Sequence, residues 1–247
     1  MKPYYETELG KLYHGDCLEI MPQLEPVDLV LTDPPYGTTA CKWDSIISLG
    51  TMWGCVGAVR KKNTTVVLFG TEPFSSSLRI SNLSEYKYDW IWDRGRACNA
   101  YTAKIRPLKY HEIASVFFNG CYYPIMTKGR MIKKASGGKS ELFNTENKIE
   151  RNENCLYYPT SIISFKACHN MQGKLHPTQK PTPLIMYLVE TYTNKNNSVL
   201  DFCIGSGTTA IACERLKRRW IGIEIEEKYC EIAAKRIEAE RKQLKLF

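Results

Sequence analysis

A chain of 247 residues with a net charge of +8 buries one sizeable α/β core with room for an excursion but not for a second large domain, and its positive excess favours an anionic partner. Its ten cysteines are scattered without a Cys-x-x-Cys pair and are accompanied by only four histidines, which argues against a disulfide framework or a metal site and for reduced thiols in a cytoplasmic compartment. No signal peptide is visible, and no apolar run approaches the roughly twenty residues of a membrane helix.

In chain order, Gly10-Lys11-Leu12-Tyr13-His14-Gly15-Asp16-Cys17-Leu18-Glu19 reads as a strand ending in a Gly-Asp-Cys turn, with Asp16 suited to cap a helix over 17–21. Val27-Asp28-Leu29-Val30-Leu31 is an apolar run of strand length, and Asp33-Pro34-Pro35-Tyr36 follows immediately. Two prolines fix φ and lack N–H donors, so this turn is stiff and its carbonyls are free to accept hydrogen bonds. A carboxylate, a carbonyl and a ring then meet at the end of a buried strand, which suits chemistry on a planar amine. Taken alone, the four residues also fit a plain Pro-Pro turn closed by an Asp. Residues 38–49 read as a flexible stretch following that turn.

Residues 64–70 read as a buried strand, 86–92 as an alternating one and 113–118 as a third. Strands separated by helical segments predict a mostly parallel sheet covered on both faces. From 121 to 170 the chain turns polar, basic and turn-rich. Lys128, Arg130, Lys133, Lys134 and Lys139 suit phosphate contacts there, with Tyr157 and Tyr158 for groove or base contacts; a solvated surface loop is the other reading.

Leu175-His176-Pro177-Thr178-Gln179-Lys180-Pro181 leads into an amphipathic stretch over 183–192, its prolines suiting the first positions of a helix. Residues 198–210 then run from a short apolar strand through Asp201, Phe202 and Cys203 into a glycine-rich turn and a helix, the layout of a nucleotide-type cofactor site. Gly205 and Gly207 permit close backbone approach and unusual φ, while Thr208 and Thr209 suit the exposed N–H groups where the helix begins. A further strand over 219–226 carries Glu224, about twenty residues beyond the glycines, where an acidic side chain commonly receives ribose hydroxyls, with Ile225 beside it. The turn is neither the three-glycine dinucleotide fingerprint nor a phosphate-binding loop ending in Gly-Lys-Ser/Thr. S-adenosylmethionine therefore fits better than NAD or ATP.

Asp33-Pro34-Pro35-Tyr36 resembles the signature of the amino-methylating DNA methyltransferases, Asp/Asn/Ser-Pro-Pro-Tyr/Phe/Trp, and the fuller string from Leu31 to Gly37 narrows the likeness to the adenine-directed kind. His176-Pro177-Thr178-Gln179-Lys180-Pro181 is similar to the segment preceding the cofactor loop in the permuted β-class enzymes, and the motif order is theirs throughout. The resemblance implies an α/β, Rossmann-like class I methyltransferase fold: a mostly parallel seven-stranded sheet with one reversed strand, in circularly permuted motif order. Residues 1–120 would form the catalytic part of the core, 121–170 an inserted target-recognition region, and 171–247 the cofactor-binding part. S-adenosylmethionine is the implied cofactor, with Asp16 and Cys17 near its adenine, His176 and Lys180 by its methionine portion, Lys180 at the carboxylate, and Asp33 near the sulfonium.

The implied reaction methylates the exocyclic 6-amino group of an adenine flipped out of double-stranded DNA. Asp33, with an ordinary carboxylate pKa, and the Pro34 carbonyl would take up the amine's hydrogens, and Tyr36 would stack on the base. A cytosine 4-amino methyltransferase is the close alternative; an RNA methyltransferase and a non-catalytic DNA-binding module stand further off. A homodimer and a cognate restriction endonuclease are the further partners the resemblance raises, in a bacterial cytoplasm, with the gene in a bacterium or a phage.

Overall fold

The computed structural model describes residues 1–37, 45–129, 155–167 and 179–244. The first part of the chain gives β1 (Tyr5–Glu6), β2 (Gly10–His14), α1 (Cys17–Ile20), β3 (Val27–Thr32), α2 (Leu49–Val59), β4 (Arg60–Gly70), α3 (Phe74–Ser81), β5 (Tyr86–Cys98) and β6 (Lys109–Phe117). The rest adds β7 (Thr127–Lys128), β8 (Leu156–Tyr157), β9 (Ile162–Ser164), α4 (Thr182–Tyr192), β10 (Ser198–Asp201), α5 (Thr208–Leu216), β11 (Arg219–Glu224) and α6 (Glu227–Leu244).

The central sheet runs β1-β2-β11-β10-β3-β4-β6-β5-β9. Its seven longer strands, β2 to β5 in that order, are parallel except for β6, which pairs antiparallel with both β4 and β5. That is the expected seven-stranded sheet with one reversed strand. Two short edge strands enlarge it to nine: β1, antiparallel to β2, and β9, parallel to β5.

β3 lies in the middle and is buried on both faces, as a run apolar from Val27 to Leu31 at every position but Asp28 requires. Leu29 and Leu31, with Val67 and Phe69 of β4, join the core under α4, α5 and α6. Val30, Val66 and Leu68 join the core under α2 and α3. α4 begins after Pro181 with a second proline at its start, and it buries Leu184, Ile185, Leu188, Val189 and Tyr192.

A second compact unit covers residues 124–160. Within it β7 and β8 pair antiparallel, and Gly129 lies under the Tyr157 ring, where an added Cβ would come within 2.6 Å. This unit is shorter than the excursion expected over 121–170. The Tyr123 amide donates to the Thr191 carbonyl at 2.7 Å, and residues 162–164 pair with the sheet as β9, so both flanks belong to the core. Among the described residues no helix is long and apolar enough to cross a membrane.

Candidate active site

At the carboxyl edge of the sheet, β3 and β10 lie side by side, while the helices that follow them, α2 and α5, pack on opposite faces. Such a switch in winding direction opens a crevice. A cavity of 390 Å³ occupies it, within the usual range for small-molecule sites. Asp33, Pro34, Pro35 and Tyr36 form one wall; Asp201, Phe202, Cys203, Gly205, Thr208 and Thr209 form another. Asp16, Cys17, Lys180, Glu224 and Ile225 line the cavity as well.

Asp33 is held from two sides: the Lys180 ammonium donates to its Oδ2 and the Tyr36 hydroxyl to its Oδ1. Lys180 also stands 3.4 Å from Glu112 Oε2, and Arg94 lies 2.9 Å from Glu112 Oε1. Charges therefore alternate along Arg94, Glu112, Lys180 and Asp33. Alternation is what makes several ions tolerable in a site where Lys180 is only 8% exposed. Burial pushes the Asp33 carboxyl above its usual range, against the opposing pull of Lys180, and Glu112 adds to the upward push. Burial alone would raise Glu112 too, but Lys180, Arg94 and Lys109 hold it below its usual value. Lys180 is raised because its two carboxylates outweigh burial.

The glycine-rich turn is tied down by Asp201. Its Oδ1 accepts from the Thr32 hydroxyl at 2.6 Å and from the Cys203 amide at 3.2 Å, and its Oδ2 accepts from the Thr209 hydroxyl at 2.6 Å. One carboxylate thus joins β3, the turn and α5. Burial pushes Asp201 up to about 6. Between the ordinary carboxylate pKa and that value, the folded protein keeps a proton that the unfolded chain has released. The resulting stabilisation is complete below about pH 4 and disappears as pH rises through about 6. Asp201→Asn is expected to remove a slope of roughly 2–3 kcal/mol across that window. Urea midpoints of both proteins from pH 4.5 to 7.5 measure the difference.

Glu224, at the end of β11, accepts from the Gly205 amide at 2.8 Å on one oxygen and from the Glu226 amide at 2.9 Å on the other. Each carboxylate oxygen retains a second lone pair, so Glu224 can still receive a pair of ribose hydroxyls. Asp16 accepts from the Leu18 amide at 2.8 Å, capping α1 as the sequence allows, and lines the cavity as well. An acid placed for a ribose, an exposed carboxylate at Asp16 and a glycine turn with Gly205 at φ +53° together fit an adenosine-containing cofactor.

Two expectations change. Gly207 does not face the cavity: at φ +84° its missing side chain points at α6, where an added Cβ would lie 3.0 Å from the Ala233 Cβ. Gly207→Val is therefore expected to act by strain and overpacking, destabilising the fold by roughly 2–5 kcal/mol and weakening cofactor binding only as the turn shifts. Chemical denaturation measures the first effect and calorimetry the second. Thr208 and Thr209 do not cap α5, whose N-terminus has no side-chain cap; the Thr209 hydroxyl is spent on Asp201. Lys180, expected at a cofactor carboxylate, lines the cavity and pairs there with Asp33 and Glu112, two buried acids that need a cation between them.

Lys128 is exposed on β7 in the second unit. His176, Arg130, Lys133, Lys134 and Lys139 lie outside the described residues. Sequence reasoning did not find Arg94, Glu112 or Arg236. Arg236 reaches from α6 to the Ser206 carbonyl and to the Ser206 hydroxyl at 2.8 Å, bracing the glycine turn from behind. The one local signal for Glu112 is a carboxylate standing directly before the apolar run of β6.

The sheet order, the carboxyl-edge crevice and the braced glycine turn define a class I methyltransferase fold. The chain belongs to the DNA methylase family, whose model matches residues 27–235. It is 26% identical over 257 residues to the type II methyltransferase M2.LlaDCHI of Lactococcus lactis subsp. cremoris, covering 96% of this chain and 92% of that protein. The crystal structure of an M1.HpyAVI-SAM complex aligns with a TM-score of 0.65 at 25% identity, over 92% of this chain and 98% of the other. PvuII DNA methyltransferase, described as cytosine-N4-specific, shares the fold with a TM-score of 0.67 at 17% identity, over 98% and 94% of the two chains.

Proposed function

We propose that the protein transfers a methyl group from S-adenosylmethionine to the 6-amino group of an adenine flipped out of double-stranded DNA. The observation that carries this is the position of Asp33: its carboxylate lines the same cavity as Glu224 and the glycine turn, so a target amine and an adenosine-containing donor meet in one chamber. When bound, S-adenosylmethionine supplies an electrophilic methyl group. The chain's residues act on the amine. Its lone pair is delocalised into the ring until Asp33 and the Pro34 carbonyl accept its two hydrogens and favour a pyramidal nitrogen.

Tyr36 and Lys180 each occupy one Asp33 oxygen, and each oxygen keeps a lone pair for the amine. The raised pKa of Asp33 departs from the ordinary value expected from sequence and suits it to take the proton that nitrogen gives up after transfer. Holding both reactants aligned accounts for several kcal/mol of the barrier. A base in a duplex does not reach such a chamber, so it is extruded, with the Tyr36 ring as its stacking surface.

Asp at position 33 favours adenine over cytosine. The fold alone does not choose, since PvuII methyltransferase, described as cytosine-N4-specific, shares it. In this reading 1–123 and 161–247 supply the catalytic and cofactor parts of one core. The segment between them reads the target, with Lys128, Arg130, Lys133, Lys134 and Lys139 on phosphates. Asp16 and Cys17 lie at the cofactor's adenine, and His176 lies by its methionine portion. The protein works in a bacterial cytoplasm, as a homodimer and beside a cognate endonuclease. Expression in a methylation-free bacterial host followed by single-molecule mapping of modified bases tests this: N6-methyladenine at one recurrent sequence is expected, and N4-methylcytosine there would replace adenine with the cytosine alternative.

A further inference from the structure

Side chains alternate between the two faces of a strand. Leu29 and Leu31 of β3, Phe69 of β4, and Ala114 and Val116 of β6 all join the core under α4, α5 and α6. Asp33 and Glu112 continue that set by the same period of two: Asp33 lies just past β3, and Glu112 lies just beyond Ile113, the partner of Gly70 at the end of β4. Both acids thus stand on one face at the carboxyl edge of the sheet. Lys180 reaches this face from the start of α4, its ammonium 5.0 Å from the centre of the Phe69 ring. It donates to Asp33 Oδ2 and stands 3.4 Å from Glu112 Oε2. Glu112 is itself anchored, with its other oxygen 2.9 Å from Arg94 and its backbone opposite Trp92 of β5. One ammonium is therefore shared between two carboxylates, of which Asp33 lines the cavity and Glu112 does not.

We infer that Glu112 is a positioning residue for methyl transfer: anchored by Arg94, it draws the Lys180 ammonium partly away from Asp33 and leaves the Asp33 carboxylate able to accept a hydrogen of the target amine. The inference rests on the function proposed above. As the amine nitrogen forms its bond to the methyl carbon, the S–C electron pair stays on sulfur and the proton released from nitrogen goes to Asp33. A carboxylate with an ammonium to itself is a poor acceptor, because the cation stabilises the ionised form. An ammonium divided between two acids stabilises each less, and the second anion pushes the first toward protonation. Asp33 shows this balance: burial raises it, Lys180 pulls it down, and Glu112 raises it. Glu112 stays ionised despite its burial because Lys180, Arg94 and Lys109 hold it down. Among the described residues, Tyr36 and Asp201 also face Asp33, Tyr36 by a hydrogen bond to Oδ1 and Asp201 by charge. Removing an anion from beside a carboxyl lowers its pKa whatever else surrounds it, so Glu112→Gln makes Asp33 more acidic.

The test uses the whole chain, S-adenosylmethionine and duplex DNA containing the mapped site, with single-turnover rates at saturating DNA from pH 4.5 to 9. Glu112→Gln is expected to lower the rate at neutral pH about tenfold and to move the acidic limb to lower pH by roughly one unit, with affinities for S-adenosylmethionine and DNA within a few-fold of the wild type. Removing the Lys180 charge moves the limb the other way, so the sign reports the charge at Glu112 and not a general loosening of the site. Glu112→Asp keeps the charge one methylene further back, and its rate and limb are expected between those of the wild type and the Gln variant. A lowered rate with the limb unmoved would make Glu112 structural only and overturn the inference. Wild-type rate and limb in Glu112→Gln would overturn it too, as would the same result in Glu112→Asp if circular dichroism shows the Gln variant unfolded. An active wild type without an acidic limb would overturn the proton-accepting role of Asp33 and this inference with it. Failure of the wild-type enzyme to methylate any duplex would overturn the functional reading itself.

Discussion

Asp33→Ala is expected to lower methyl transfer by about a thousandfold or more while leaving S-adenosylmethionine affinity within a few-fold of the wild type, since it removes both an oriented acceptor and a charge next to the reacting amine. Cofactor binding survives because the groups placed for it, Glu224 and the turn held by Asp201, lie on other strands and make their own hydrogen bonds. Lys180 remains beside Glu112 in the variant, so it is not left as an isolated buried cation. Asp33→Asn separates geometry from charge. Asn keeps one acceptor oxygen and loses the anion, and its residual rate should lie between those of the wild type and the Ala variant. Single-turnover assays with labelled cofactor, beside calorimetric titration of the cofactor, measure the two effects separately.

The second large effect is expected from Lys180→Met. Asp33 and Glu112 would then share a buried site with one cation fewer, and breaking such a pair from one side costs roughly 3–5 kcal/mol. Part of that cost is avoided if Asp33 takes up a proton. Lys180 opposes the burial that raises Asp33, so its removal moves the Asp33 pKa further upward. On the proposed mechanism activity needs the carboxylate, and the acidic limb of the pH–rate profile is therefore expected to shift to higher pH. Lys180→Arg keeps the charge and should leave that limb nearly in place while disturbing geometry. A profile from pH 5 to 9 for the three proteins distinguishes the outcomes, with denaturant midpoints reporting the stability loss.

Much of the core was legible because its signals are local. The run from Val27 to Leu31 is apolar at every position but one, and only a central strand buried on both faces has use for that pattern. The Pro-Pro turn after it and the glycine turn after β10 punctuate the chain where strands end. The edge strands were not legible: β1 and β9 span two and three residues, too short for any alternation to show. β9 also follows a polar stretch, which drew the expected excursion out to 170 when the chain had already returned to the sheet.

Within the site, what was missed is long-range. Gly207 announces conformational freedom, but which neighbour its bare side faces depends on α6, packed there from a later part of the chain. Lys180 looks like a lone cation at a helix entrance, and its partner Glu112 belongs to the reversed strand, 68 residues upstream. Arg236 sits on a helix whose surface is rich in charge, so nothing in its surroundings separates a residue that braces the glycine turn from a solvated one. Pairing across a sheet or between layers is set by topology, and local periodicity carries little of it.

The most direct test is chemical. Purified protein, S-adenosylmethionine carrying a labelled methyl group and duplex DNA containing the mapped site are incubated together, and the DNA is digested to nucleosides and resolved by mass spectrometry. Label in N6-methyldeoxyadenosine, abolished by Asp33→Ala, is the expected result. Label in a cytosine nucleoside, or undiminished label in the Asp33→Ala reaction, would contradict it.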